Sequence, residues 1–246
     1  AQAQNPGLQP IGAGGTTGDL AARWSANPAA PATAVPYVRS LLIGGDLAGA
    51  GAAARRYLDL RPGSSEALGL MGDVELSQGA AQMALQHYML SARVRFPAQM
   101  LPRMALAYQR LGQGGAVQPL LAQYLAMFPR SRIALRMAAS EAALAGDWAE
   151  ARALLENLVM RGGANDWRLL ADLSLAQLRG GDAGAASQTA RRAWLLQPAG
   201  ALTSQAYGMA LAEAGGDPAL ARQMLDAARR IGGDNPLLAA VRKKLK

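Results

Sequence analysis

The chain has 246 residues, a formal net charge of +8 at pH 7 and no cysteine. A single hydrophobic core rarely grows to this length, so two domains or an array of repeats is expected. The lack of cysteine excludes a disulfide framework and a thiolate metal site. An aromatic content of 5% with abundant Ala and Gly argues against a compact β fold, so the composition predicts an all-α protein.

The segment 1–18 is rich in Gly, Ala, Gln and Pro and predicts a flexible lead, because it shows no apolar period. The stretch 12–17 lacks both the third glycine of a dinucleotide fingerprint and the Lys of a phosphate loop, so it is interpreted as a linker. The chain begins at Ala1 without Met, which suggests signal-peptidase processing, with an arbitrary boundary as the alternative. No apolar run reaches the length of a membrane-spanning helix.

A short helix follows the lead and is predicted as a partial repeat over 19–30. Thr17 or Asp19 is expected to cap it, and Trp24 lies on its apolar side. The helix is expected to stop at Pro28, because proline cannot continue a helix. Pro28 and Pro62 are separated by one period of the repeat that follows, so we interpret this helix as the second half of an incomplete repeat.

Two features recur along the chain with a period of roughly 34 residues. Glycines placed to turn one helix into the next are Gly45, Gly79, Gly112, Gly146, Gly181 and Gly216. Residues placed to end each unit are Pro28, Pro62, Pro97, Pro129, Gly163, Pro198 and, approximately, Gly233. Because two independent features agree, the sequence predicts tandem helix–turn–helix repeats.

The clearest copy of the repeat runs from Ser64 to Pro97 and follows the pattern L-x2-M-G-x2-E…A-x3-Y…P. Its small residues, Gly72 and Ala84, let two helices cross closely. The pattern resembles the tetratricopeptide (TPR) repeat, W-x2-L-G-x2-Y…A-x3-F…P over about 34 residues, with Glu75 in place of the usual aromatic. This resemblance implies an all-α superhelix, or α-solenoid, of TPR-like hairpins, and a role in holding other proteins.

Six TPR-like repeats are predicted within residues 31–234. Their ranges are 31–63, 64–97, 98–130, 131–164, 165–198 and 199–234. The small residue after each turn is Ala50, Ala84, Ala151, Ala186 or Ala221, with Val117 as the exception. Four aspartates near these turns are predicted to cap the second helices of their repeats: Asp46, Asp147, Asp182 and Asp217. The third repeat is irregular, because Gly114 and Gly115 loosen its turn.

Residues 235–246 predict a final amphipathic helix. Its first helical position is Pro236, and its apolar residues are Leu237, Leu238, Val241 and Leu245. The basic end of this segment suits the negative pole of a helix. The resemblance implies a capping helix that covers the apolar face of the last repeat.

No catalytic, metal or cofactor site is predicted, so the chain is expected not to be an enzyme. His87 is the only histidine, and the sequence shows no Cys, no second His and no nearby carboxylate cluster beside it. A packing or surface role is therefore favoured over metal binding or acid–base catalysis. Most of the methionines are interpreted as core residues, with Met137 as the exception.

The positive charge leaves an alternative function open, which is the binding of nucleic acid or another acidic polymer. Against it, the arginines are spread over many helices without the interleaved aromatics of single-strand binders. No polar side chain recurs at a fixed repeat position, as a one-base-per-repeat code would need. Polymer binding would weaken steeply with salt, whereas peptide binding depends mainly on buried side chains.

The resemblance therefore implies a non-enzymatic scaffold that binds a peptide segment or helix of a partner protein and no small-molecule substrate. In TPR arrays the first helix of each repeat lines the concave groove. The predicted partner-binding groove consists of Arg103, Leu106, Arg110, Ile133, Arg136, Met137, Ser140 and Arg168. Its arginines predict an acidic, partly apolar partner segment, with solvation or local pairing, such as Arg168 with Asp172, as the alternative. The family's carboxylate clamp of Lys and Asn is not reproduced, so a C-terminal carboxylate is not implied.

The abundance of Arg and Ala is typical of a GC-rich bacterium, since Lys occurs only at 243, 244 and 246. TPR proteins of such bacteria often serve envelope assemblies for pilus biogenesis, secretion or polysaccharide export. The resemblance thus implies a periplasmic or outer-membrane-associated location, with the cytoplasm as the alternative.

Overall fold

A computed structural model describes residues 15–233 and 236–244, and within these ranges the chain is helical and has no strand. The chain divides into two compact units, residues 1–128 and 129–246. The all-α prediction is confirmed. Of the predicted flexible lead, residues 1–14 lie outside the described residues. No helix among the described residues is both long and apolar enough to cross a bilayer.

The described helices follow one another in antiparallel pairs joined by short turns. The first unit contains α1 (Thr17–Ala26), α2 (Pro31–Ile43), α3 (Leu47–Leu60), α4 (Ser65–Ser77), α5 (Ala81–Val94), α6 (Met100–Arg110) and α7 (Val117–Met127). The second unit contains α8 (Arg132–Leu144), α9 (Trp148–Leu158), α10 (Trp167–Arg179), α11 (Ala183–Leu196), α12 (Ala201–Glu213), α13 (Pro218–Gly232) and α14 (Pro236–Lys244). We call α2, α4, α6, α8, α10 and α12 the first helices, and their partners α3, α5, α7, α9, α11 and α13 the second helices.

Helix α1 begins two residues earlier than predicted and is capped by a different residue. The hydroxyl of Thr16 accepts from the backbone N–H of Asp19, and the Asp19 carboxylate accepts from the N–H of Thr16 at 2.9 Å. This reciprocal pair is a capping box, so neither Thr17 nor Asp19 is the N-cap residue. Trp24 stacks on Tyr37 of α2 with ring centroids 4.9 Å apart, which confirms its place on the apolar side.

Each hairpin turns at a glycine with a left-handed backbone. Gly45, Gly79, Gly112, Gly146 and Gly181 have φ between 70° and 88°, at the predicted positions. The last turn differs: Gly215 has φ 65°, and Gly216 follows it, donating its N–H to the carbonyl of Leu211. In every hairpin the residue just after the left-handed glycine makes this bond, which is the Schellman ending of a helix. In the other hairpins that residue is also the N-cap of the next helical segment, whereas in the last one the N-cap is Asp217, one residue later. The final hairpin therefore carries one extra residue, and the prediction of Gly216 was wrong by one position.

The four predicted aspartate caps are confirmed. Asp46, Asp147 and Asp182 each accept from the backbone N–H three residues later, at 2.8 to 3.0 Å, and Asp217 accepts from those of Ala219 and Leu220. Each cap satisfies a backbone donor that the helix itself leaves free and contributes about 1 kcal/mol.

The small residues lie where the paired helices cross. Ala50, Ala84, Ala151, Ala186 and Ala221 are completely buried, and Val117 is 1% exposed. A Cβ atom added to Gly72 would lie 3.1 Å from the carbonyl oxygen of Ala84. A Cβ atom added to Gly208 would likewise lie 3.1 Å from the carbonyl oxygen of Ala221. The crossing of α4 with α5 is thus repeated at α12 with α13. Both need a glycine on the first helix, because the backbones approach too closely for a larger residue.

Two irregular turns interrupt the regular hairpins. A short 3₁₀ helix, Gly114–Ala116, precedes α7, in the repeat that the sequence predicts to be irregular. At the end of α9, residues Val159–Gly163 form a π turn in which Gly162 has φ 101°. Both segments lie at or near the glycines that the sequence singled out as breaks.

Helix α14 packs against the last hairpin. Its Leu238 and Val241 are 1% and 6% exposed and form a cluster with Met209 on α12 and with Leu225 and Ala228 on α13. Two of the four predicted apolar residues therefore cover the last repeat. The side chains of Leu237 and Leu245 lie outside the described part of the chain.

Candidate functional site

The first helices of the first unit line a cavity of about 200 Å³. The lining residues that matter most are Val35 and Arg39 of α2, Gly69 and Asp73 of α4, and Met100 and Arg103 of α6. We call this the arginine pocket. Its opening depends on Gly69, because a side chain there would lie 3.2 Å from the methyl of Met100 and 3.4 Å from a terminal guanidinium nitrogen of Arg103.

A buried carboxylate forms the floor of the arginine pocket. Asp73 is 1% exposed; a terminal guanidinium nitrogen of Arg103 lies 3.4 Å from its Oδ2, and the hydroxyl of Tyr88 donates to its Oδ1 at 2.9 Å. Burial raises the pKa of the Asp73 carboxyl, while Arg103, Tyr88 and Arg39 act in the opposite direction. Asp73 is therefore paired with Arg103 and also feels the charge of Arg39, so one carboxylate faces two cations.

The arginine pocket contains more guanidinium donors than internal acceptors. The Nε atoms of Arg39 and Arg103 are buried and have no hydrogen-bond partner among the described residues. Burial, and next the charge of Arg103, lowers the pKa of Arg39. Glu66 also lines the pocket, but it is exposed and sits in the first turn of α4, where a helix favours negative charge. The pocket is thus suited to an acceptor supplied from outside.

A second buried carboxylate lies on the other side of α4. Glu75 is 2% exposed, and its Oε2 is 2.7 Å from Nδ1 of His87. The sequence predicts no carboxylate cluster beside His87, and the structure places one carboxylate there, because the antiparallel packing of α4 on α5 brings together residues twelve positions apart. Burial raises the pKa of Glu75, and the hydrogen bond from His87 opposes that effect. Glu75 stands where the TPR pattern has an aromatic residue, so a polar group is buried in a packed interior. The hydrogen bond with His87 satisfies one of its two carboxylate oxygens.

In the second unit, α8, α9 and α10 line a cavity of about 320 Å³. Arg136 stands at its edge, with terminal nitrogens 3.0 Å from Asp172 and 3.7 Å from Asp166. Burial raises the pKa of the Asp172 carboxyl although Arg136 lies beside it. Apart from these charges the lining is mostly Ala, Leu and Trp.

The eight predicted groove residues fall in both units. In the first unit, Arg103 lines the arginine pocket, Leu106 is 8% exposed, and Arg110 donates to the carbonyl of Leu76 at 2.6 Å, at the end of α4. Leu106 is thus a core residue, and Arg110 also serves as a cap on α4.

In the second unit, only two of the five predicted residues line the cavity. Arg136 and Ser140 are in its wall, whereas Ile133 and Met137 are half-buried elsewhere on α8. The guanidinium of Arg168 lies 4.7 Å above the ring of Trp167. The local pairing suggested for Asp172 is therefore made by Arg136 rather than by Arg168.

Sequence reasoning placed Arg39 on a groove-lining first helix but left Asp73, Asp172 and Leu175 out of the groove. One signal was present: Asp73 follows Arg39 by one repeat length, so the two occupy equivalent positions on successive first helices. A comparison of charged residues at equal repeat positions would have placed these opposite charges side by side. Asp172 and Leu175 carry no comparable signal.

The described residues offer no metal site. Nowhere among them do three His, Asp or Glu side chains converge in a way that could hold an ion. Among the cavities that they form are one pocket rich in guanidinium donors and one apolar cavity with a charged edge, both lined mainly by first helices.

The arrangement of the helices is that of the TPR fold. The chain resembles a chain of the APC/C hetero-tetramer Cut9–Hcn1, with a TM-score of 0.69 and 17% identity over 93% of this chain and 44% of that chain, so it spans less than half of that length. It is also similar to a TPR protein from Parabacteroides merdae ATCC 43184, with a TM-score of 0.59 and 16% identity over 93% of this chain and 90% of that one.

A third similar structure is the C-terminal part of a TPR repeat-containing protein from Cytophaga hutchinsonii, with a TM-score of 0.59 and 13% identity over 80% of this chain and 78% of that one. No protein-family model matches the sequence, and no curated protein does. At these identities the likeness is one of fold, and it establishes the TPR fold for this chain.

Proposed function

We propose that this protein is a non-enzymatic scaffold that holds a segment of a partner protein against its first helices. The observation that carries the proposal is the arginine pocket, where two guanidinium groups share one buried carboxylate. Arginine is prominent among residues that dominate protein interfaces, because its planar group makes several directed hydrogen bonds. An acidic side chain or a backbone carbonyl of the partner would supply the acceptor that the pocket lacks.

The proposal includes a place of action, which is a bacterial envelope assembly in the periplasm or at the outer membrane. Its support is the Arg-rich, Lys-poor composition together with the TPR fold. A cytoplasmic location is the alternative. Fractionation of cells that express the full gene from its own promoter, followed by immunoblotting, tests this part separately from the binding site.

Site-specific photo-crosslinking tests the binding site. A photoreactive residue is placed at Gln99, in the wall of the arginine pocket, and a matched one at the exposed Gln86 on the second helix α5. We expect a defined adduct from Gln99 that mass spectrometry maps to one segment of one protein, and no such adduct from Gln86. Equal adducts from both positions, or adducts from Gln86 alone, would show that the first helices are not the binding surface.

A further inference from the structure

The first helices of the second unit expose leucines along one surface. Leu144 on α8 is 80% exposed, Leu175 on α10 is 40% exposed, and Leu202 on α12 is 48% exposed. These side chains line two cavities, one of about 320 Å³ between α8, α9 and α10, and one of about 50 Å³ between α10 and α12. The two cavities share Asp172 and Leu175, so they form one continuous surface, which we call the leucine groove.

The two cavities of the leucine groove differ in the size of the group they admit. The larger one has a floor of small residues, including Ala139 and Ala143, and a wall formed by the half-buried Trp148. Its volume and apolar lining suit a bulky apolar side chain. The smaller one, near Leu202, has room for little more than a methyl group or one water molecule. A water molecule occupies about 30 Å³ in the liquid.

The charge between the two cavities is negative. Asp172 and Asp166 are both within ion-pair distance of Arg136, and their side chains are 45% and 34% exposed. Arg136 thus lies between two carboxylates: Asp166, which lines neither cavity and also caps α10 by accepting from the N–H groups of Arg168 and Leu169, and Asp172, which lines both cavities. The nearby Arg168 is turned onto the ring of Trp167, so it does not supply the missing cation. A positive group from a partner would complete the set at Asp172, which separates the large cavity from the small one.

We propose that the leucine groove binds a partner segment in which a bulky apolar residue and a small residue flank a Lys or Arg. The bulky side chain enters the large cavity, the basic group meets Asp172, and the small residue lies over the cavity beside Leu202. This inference rests on the proposed scaffold function and adds what the second unit selects. It also separates the two units by chemistry, since the arginine pocket offers surplus cations and the leucine groove a surplus carboxylate.

The test begins with an unbiased selection. Random dodecapeptides displayed on phage are selected against the intact chain, and one enriched peptide is then synthesised with a fluorescent label. We expect enriched sequences with a bulky apolar residue, a basic residue and a small residue in either chain direction. Binding is measured by fluorescence anisotropy for the wild-type chain and for each variant below.

Two variants probe the groove, and each has a matched control. Ser140→Trp fills the large cavity from an exposed position without altering a charge, and Gln188→Trp places the same bulk on an exposed position of α11. Asp172→Asn removes the charge at constant shape, and Glu156→Gln does so at another carboxylate that is paired with an arginine, Arg152. Melting temperatures of all four confirm that each variant is folded.

We expect Ser140→Trp to weaken binding at least tenfold and Gln188→Trp to leave it unchanged. Asp172→Asn should weaken the basic peptide about threefold, the size of a half-exposed ion pair. The same variant should not affect a peptide in which Gln replaces the basic residue. Glu156→Gln should affect neither peptide.

Three results would overturn the inference in distinguishable ways. If the selected peptides bind but are insensitive to Ser140→Trp, the leucine groove is not their site, although the scaffold function stands. If Asp172→Asn affects the basic and the Gln peptide equally, the charge assignment is wrong while the apolar part stands. If no selected peptide binds to either the arginine pocket or the leucine groove, the scaffold function itself fails.

Discussion

The close crossing of α4 and α5 predicts a large effect from a single added methyl group. In Gly72→Ala, the new carbon would lie 2.5 Å from Cε1 and 2.7 Å from Cδ1 of Tyr88, about 1 Å inside ordinary van der Waals contact. Tyr88 is completely buried, and its hydroxyl is bonded to the buried Asp73, so the ring has little room to move. The substitution therefore overpacks a rigid site.

The expected change in the free energy of unfolding combines one stabilising and two destabilising contributions. Alanine is favoured over glycine in a helix by about 1 kcal/mol. Overpacking costs about 1–3 kcal/mol. If the ring of Tyr88 moves far enough to break its bond to Asp73, the unsatisfied carboxylate costs about 1–3 kcal/mol more. We expect Gly72→Ala to destabilise the first unit by about 2 kcal/mol.

The matched control is Gly51→Ala, in the interior of α3 of the same unit. There the added carbon would lie 3.1 Å from the amide nitrogen of Gln78, the end of an exposed, flexible side chain. That nitrogen donates to the carbonyl of Leu47 at 3.0 Å, an exposed hydrogen bond that water can replace when the side chain turns aside. This variant should be unchanged or more stable by up to about 1 kcal/mol. Hydrogen exchange, followed by mass spectrometry of peptides from α4 and α5, localises the effect to the crossing. If Gly72→Ala is as stable as Gly51→Ala, the close approach of these helices is refuted.

Three further predictions concern packing, pH and the end of the chain. Ala151→Arg puts a charge where the side chain is completely buried, so thermal unfolding monitored by circular dichroism should show a loss of several kcal/mol, and an unchanged melting temperature would mean that the register of α9 is wrong. Burial raises the folded-state pKa of Asp73, so the contribution of Asp73 to stability should fall as pH rises above about 4, where the unfolded state releases its proton first. In urea titrations Asp73→Asn should therefore remove this contribution from the pH dependence of the free energy of unfolding, and equal slopes for wild type and variant would contradict the burial of this carboxyl group. Deletion of 236–246 uncovers Met209 and Leu225, so light scattering should show aggregation, and a soluble, equally stable truncation would show that α14 is not a cap.

The repeat architecture could be predicted from sequence because it depends on local rules. Gly79 can adopt the left-handed backbone that ends α4, and Asp147 can cap α9, so each hairpin is specified by residues within or beside it. The error at Gly216 has the same local origin, since one extra residue in the final turn moves the left-handed position to Gly215. The spacing alone does not distinguish the two.

The candidate site could be predicted only in part, because it depends on contacts between repeats. The sequence shows that Arg103 lies on a first helix, but not that Asp73 of the preceding repeat reaches it at 3.4 Å. The burial of Leu106 and the pairing of Arg136 with Asp172 likewise depend on how side chains turn at a helix interface. Periodicity assigns a residue to a helix face, whereas its partner is decided by packing at ångström scale.

The affinity of the cross-linked partner segment for charge variants of the chain tests the central claim most directly. Arg39→Gln with Arg103→Gln removes the surplus cations of the arginine pocket, and Arg93→Gln with Arg229→Gln removes the same charge from exposed positions on second helices. The account predicts that the pocket pair weakens binding tenfold or more, about 1.4 kcal/mol, while the control pair has little effect. If both pairs weaken binding equally, and affinity falls steeply with salt, diffuse positive charge explains the binding and the scaffold account is contradicted.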